Sequence, residues 1–184
     1  TITFDGVGFT FDATLGRSVN VTRVRSQAPD LETIETPDAR HLVFTLYGGR
    51  NEFAKVPRVS DAPGVVRVYR TADLAGYEFA SQRLEQLRTM LADRPDLATF
   101  MAVGPDGFGQ ELPFLPVPGA GQILRARAQY IDTPEVSGIA YVLAFGQDLY
   151  PVTADSFWYT FQGISTDGTR SVSVLFVIRA GMFP

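Results

Sequence analysis

Four runs of aromatic and β-branched residues crowd the last third of the chain: Ile123–Ile131, Gly138–Phe145, Ser156–Gln162 and Arg170–Arg179. Runs of this composition read as strands. The gaps between them are too short for parallel crossovers, which need a dozen or more residues. Consecutive antiparallel strands are therefore expected. Thr166-Asp167-Gly168 supplies the turn of one hairpin, because glycine accepts the positive φ that closes it. In 171–178, Val172, Val174, Phe176 and Ile178 fall on one face and Ser171, Ser173, Leu175 and Val177 on the other. Apolar groups on both faces place that strand in the middle of a sheet with cover on each side.

The first third is read the same way. Residues 4–12 alternate as one strand with Val7, Phe9 and Phe11 inward, and 18–25 alternate as a second, joined to the first through Gly16. A third strand spans His41–Tyr47 and a fourth Val65–Arg70, with loops at 26–40 and 50–64. The one long helix is expected at 71–94, where Tyr77, Ala80, Leu84, Leu87 and Leu91 recur at helical spacing. Thr71 caps it and Pro95 stops it; a short second helix follows at 96–103. These elements predict one α+β domain over 1–184, an antiparallel sheet with helix 71–94 packed on one face.

Composition narrows the chemistry. The chain has 184 residues, 45% hydrophobic and 20% charged, as in a globular domain. With no cysteine, disulfides, thiolate nucleophiles and cysteine-ligated metals are excluded, and one histidine, His41, excludes a multi-histidine site. No cofactor and no metal site are expected. Sixteen basic against twenty acidic side chains give a net charge of −4, a poor match to nucleic acid. Fifteen of the sixteen basic residues are arginine, a skew read here as genomic composition. No stretch reaches the roughly 18 apolar residues of a membrane span.

Candidate functional residues are few. His41 opens a strand, and no Gly-x-Ser-x-Gly elbow accompanies it. The glycines at 104–109 and 118–121 match neither phosphate loop nor dinucleotide fingerprint. Asp106, Glu111, Asp132, Glu135, Asp148 and Asp155 lie in or beside loops, and their spacing pairs no two as acid and base. Trp158 and Tyr159 alternate across a strand and cannot share one exposed platform. The partner-binding candidates are Phe108, Leu112, Phe114 and Leu115, large apolar groups in a loop bounded by proline and glycine. They either cap the open end of the sheet or form a rigid docking edge.

Leu112-Pro113-Phe114-Leu115-Pro116, Ala126–Ile131, and Tyr159-Thr160-Phe161-Gln162-Gly163 followed by Thr166-Asp167-Gly168 resemble a family of uncharacterised bacterial exported proteins and lipoproteins. More distantly, the opening Phe4-Asp5-Gly6-Val7-Gly8-Phe9-Thr10-Phe11, the mid-chain helix and the late Asp-Gly hairpin are similar to PsbP/Mog1-like sandwiches. The resemblance implies export to the periplasm or cell surface and contact with the membrane only through an N-terminal anchor not present in this chain. The start at Thr1 fits a removed leader. The leading expectation is a non-catalytic binding or structural domain at the cell envelope, with an envelope protein as partner. The alternatives are a carboxylate-based hydrolase of envelope sugars or peptides and an accessory subunit of a membrane complex.

Overall fold

The computed structural model describes residues 1–13, 15–27, 38–47, 64–103, 111–146 and 157–178. Strands β1 (Ile2–Phe4), β2 (Val7–Phe9), β3 (Ser18–Val24), β4 (His41–Tyr47) and β5 (Gly64–Arg70) precede helices α1 (Thr71–Leu74) and α2 (Glu78–Asp93). One 3-10 turn, Leu97–Phe100, leads to β6 (Ala102–Val103), β7 (Gly121–Asp132), β8 (Val136–Gly146), β9 (Phe157–Ser165) and β10 (Arg170–Ile178). Of the described residues 52% are strand and 18% helical, so the fold is mostly β and the α+β expectation is corrected. Two reasons account for it. The long helix is interrupted, and the helix expected at 96–103 is a single 3-10 turn followed by a strand.

The main sheet has the order β3-β4-β5-β10-β9-β8-β7-β6, every neighbour antiparallel. β3, β4 and β5 form one meander. The helices then carry the chain to the far edge, and β6 to β10 meander back until β10 lies beside β5. The strand with two apolar faces is thus fourth from one edge, as its pattern predicts. Leu175 packs into the core under α2, while Val172, Val174 and Phe176 pack into a second core on the other face.

Four sequence expectations fail for local reasons. Residues 4–12 are not one strand: Asp5 and Gly6 both take positive φ, 53° and 71°, the geometry of a tight two-residue hairpin turn. β1 and β2 therefore pair with each other, and β3 pairs with β4 instead. The small hairpin lays Phe4 and Phe9 edge-on to Phe44, with ring centroids 6.4 and 5.1 Å apart. The helix breaks at 75–77, where Gly76 gives no helical support and Tyr77 is extended at φ −122°, ψ 103°. Thr71 is accordingly the first residue of α1 rather than its cap, and its hydroxyl donates to the Gly168 carbonyl at 2.9 Å.

α2 buries Ala80, Leu84, Leu87 and Met90 against the β8–β9 half of the sheet. Arg94 ends it in the left-handed region at φ 50°, and its guanidinium grips the Asp132 carboxylate at 2.7 and 3.1 Å. Beside α2 the same face is covered by residues 111–117, which have no ladder of their own. Proline at 113 and 116 removes two backbone donors, and side chains from the sheet serve the backbone of Leu112 and Leu115. Gln122 accepts from the Leu112 N–H at 3.2 Å and donates to its carbonyl at 2.7 Å. Gln162 accepts from the Leu115 N–H at 3.0 Å, and the Ser173 hydroxyl donates to the Leu115 carbonyl. The Tyr141 hydroxyl donates to the Pro113 carbonyl at 2.9 Å. Two glutamines thus do for this segment what a neighbouring strand would do.

Candidate anion-binding site

The same network settles where the sequence candidates lie. Leu112, Phe114 and Leu115 are buried at 0%, 4% and 3% exposure. Phe114 meets Phe145 edge-on, with centroids 5.0 Å apart. All three pack into the core under α2, the arrangement of a cap on the sheet. Phe108 lies outside the described residues. Glu111 pairs with Arg83 and accepts from the Gln122 N–H at 2.9 Å; Asp132 is held by Arg94, and Glu135 sits in the β7–β8 turn. Asp106, Asp148 and Asp155 lie outside the described residues. Among the described residues, no group of His, Asp and Glu is placed to hold a metal ion, and no helix is long and apolar enough to cross a membrane.

A different cluster is brought together by the ends of four strands. Because the sheet is antiparallel, the end of β3, the start of β4, the end of β5 and the start of β10 lie side by side. The registers pair Val24 with His41, His41 with Tyr69, and Arg70 with Arg170. One further residue along β3 and one back along β4 are Arg25 and Arg40. Continuing the registers puts Arg25, Arg40, Arg70 and Arg170 in one row across four adjacent strands, about 4.8 Å from strand to strand. Arg23, two residues before Arg25, shares their face. All five line a cavity of about 420 Å³.

Two carboxylates enter that cavity. Asp5, from the β1–β2 turn, reaches Arg23 at 3.4 Å, and Asp73, from α1, reaches Arg40 at 3.2 Å. Arg23 also lies over the Phe4 ring, 4.7 Å from its centroid. Arg25 and Arg70 have no side-chain partner among the described residues. The turn glycine closes over the fifth arginine: a Cβ on Gly6 would stand 3.2 Å from Arg170 Nη2. Five guanidinium groups against two carboxylates leave three positive charges in excess, in a chain whose net charge is −4. Arg70 and Arg170 are direct cross-strand partners, and like charges so placed repel.

His41 and Tyr69 border the cavity from between the arginines, their side chains alternating to the opposite face of β4 and β5. Their rings stack with centroids 4.5 Å apart. The imidazole lies 2.7 Å from the Ala39 carbonyl through Nδ1, so Nδ1 carries the proton and donates. Asp38 Oδ2 is 3.6 Å from the same nitrogen and accepts from the Tyr69 hydroxyl at 3.3 Å. Burial pushes the His41 pKa below its usual value, against the opposing pull of the Ala39 carbonyl and Asp38. Burial likewise raises the Asp38 carboxyl and the Tyr69 hydroxyl. His41 is thus held neutral and does not add to the charge of the row.

Chemically, the arrangement suits a ligand with several negative charges. Guanidinium groups fork onto carboxylate and phosphoryl oxygens, and a concave wall focuses their field. The sequence reading missed this site because it took the arginine skew as a matter of composition. The available signal was positional: arginine stands at the edge of four separate strand runs, after Val24, before His41, after Tyr69 and before Ser171. No protein-family model, no curated protein and no solved structure matches the chain.

Proposed function

We propose that the chain is a non-catalytic binding domain whose ligand is a compact polyanion, phosphoryl or polycarboxylate, held in the arginine-lined cavity. The observation that supports this most is the row of Arg25, Arg40, Arg70 and Arg170 with two carboxylates to balance five guanidinium groups. Asp167 offsets part of the Arg170 charge, and an anion lying between the facing arginines relieves the remaining repulsion. The cavity, about 420 Å³, falls within the size range of small-molecule sites. Work at the bacterial cell envelope is part of the proposal and rests on the resemblance carried by residues 112–116, 126–131 and 159–168.

Thermal unfolding in the presence of pyrophosphate, citrate and chloride at matched ionic strength tests the reading. An anion at about one hundred times its dissociation constant adds about 2.7 kcal/mol. For a chain of this size that raises Tm by roughly 5–10 °C. Pyrophosphate or citrate is expected to do so, and the Arg70→Gln/Arg170→Gln variant to lose the shift. Equal, small shifts with all three salts would sink the proposal.

A further inference from the structure

The opposite face of β3, β4 and β5 carries a second opening, of about 580 Å³. Its floor is largely polar. Asn20 and Thr22 come from β3, Val43 and Thr45 from β4, and Arg67 from β5, with Val117 on the far wall. α2 covers the other half of the sheet, against β8 and β9. In register, Arg67 stands between Val43 and Ser173, in the middle of the sheet.

Arg67 Nη1 is the one buried side-chain polar atom among the described residues that has no hydrogen-bond partner. Asp38 compensates its charge electrostatically, but that carboxylate already accepts from Tyr69 and faces His41. Asn20 and Thr22 are exposed at the mouth of the groove, where their polar groups face solvent. A buried charged donor without a protein acceptor calls for one from elsewhere, and a ligand oxygen in the groove supplies it. The charge balance here differs from the other face. Arg67 and Asp38 cancel, so the groove suits a ligand of low net charge, while the arginine row suits a polyanion.

We propose that this groove is a second binding site, for a small carboxylic acid that also carries a hydroxyl or ammonium group. The carboxylate accepts from Arg67, the donor group is taken by the Asp38 side of the groove, and the aliphatic body rests on Val43 and Val117. Neither the row nor the polyanion reading is needed for it.

Amide NMR titration of the whole chain with L-alanine, L-lactate and propionate tests the site, with pyrophosphate as a control for the other face. Alanine and lactate are expected to give saturable shifts at Thr22, Val43, Thr45 and Arg67. Propionate, lacking the second donor, is expected to bind more weakly. Arg67→Gln removes a charge-assisted hydrogen bond and is expected to weaken alanine and lactate binding by about ten- to hundredfold. Thr22→Trp, at an exposed edge position, fills the groove while leaving Arg67 in place and is expected to abolish binding on a fold that still melts cooperatively. Arg70→Gln/Arg170→Gln is expected to leave it unchanged. The proposal is overturned if none of the three acids saturates, if binding survives both Arg67→Gln and Thr22→Trp, or if the shifts fall at the arginine row.

Discussion

Replacing Phe114 by alanine separates a buried anchor from a docking loop. The ring is 4% exposed and edge-on to Phe145 at 5.0 Å. Its backbone is pinned on both sides, through the Pro113 carbonyl to Tyr141 and through Leu115 to Gln162 and Ser173. A segment fastened this way cannot sink into the space the ring leaves, so little of the cavity closes. Phe→Ala in a core costs about 3–5 kcal/mol, and poor relaxation places this site toward the upper end. At roughly 2–4 °C per kcal/mol for a chain of this length, Tm falls by about 6–20 °C. Urea unfolding followed by circular dichroism should show a lower midpoint with an unchanged m-value. A change within about 0.5 kcal/mol, the size of a surface substitution, would refute the burial argument and return the 112–115 segment to solvent.

Gln162→Leu removes three hydrogen bonds, to the Leu115 N–H, Thr160 and Ser173, and leaves the Leu115 donor buried without an acceptor. A loss of about 2–4 kcal/mol is expected by denaturant titration, and less than about 1 would mean the segment is not held by this residue. Arg70→Thr relieves the cross-strand repulsion with Arg170, so the ligand-free protein should gain up to about 1 kcal/mol while anion stabilisation disappears; a melt with and without pyrophosphate reads both. His41 has a folded pKa below the unfolded value of 6.5, so the unfolded chain binds its proton first as pH falls. Stability from this group is full above about pH 6.5 and declines below it, and urea midpoints for His41→Gln should be flatter than wild type across that window. Asp167 is held at about 2 by the Ser165 hydroxyl and by the N–H and hydroxyl of Thr169. Its contribution is present above 3.8 and lost as pH falls toward about 2, so Asp167→Asn should reduce the acid sensitivity of the native state over that range.

What the sequence made legible follows from how local each signal is. β4 and the four late strands could be read because their β-branched and aromatic runs are bounded by glycine, proline or a clear turn. The Asp167-Gly168 hairpin is legible from its residues, whereas Asp5-Gly6, with the same chemistry, is hidden by an alternation that runs from Phe4 through Val7 to Phe11. The helix stripe was right in its face, but Gly76 divides α1 from α2. Whether Leu112, Phe114 and Leu115 were covered could not be read from the loop itself. The answer lies in Gln122 and Gln162, which are 10 and 47 residues away from the backbone groups they bind. The arginine row is less local still. Arg25, Arg40, Arg70 and Arg170 become neighbours only once the order β3-β4-β5-β10 is known, and that order depends on a late meander returning to the middle of the sheet.

Isothermal titration of pyrophosphate into the wild-type chain and into Arg70→Gln/Arg170→Gln addresses the central claim most directly. The account predicts saturable binding to wild type that weakens as salt is raised, and a loss of at least about tenfold in the variant, which should melt no lower than wild type. Identical binding curves for the two proteins, or no saturable heat with wild type at low salt, would contradict it.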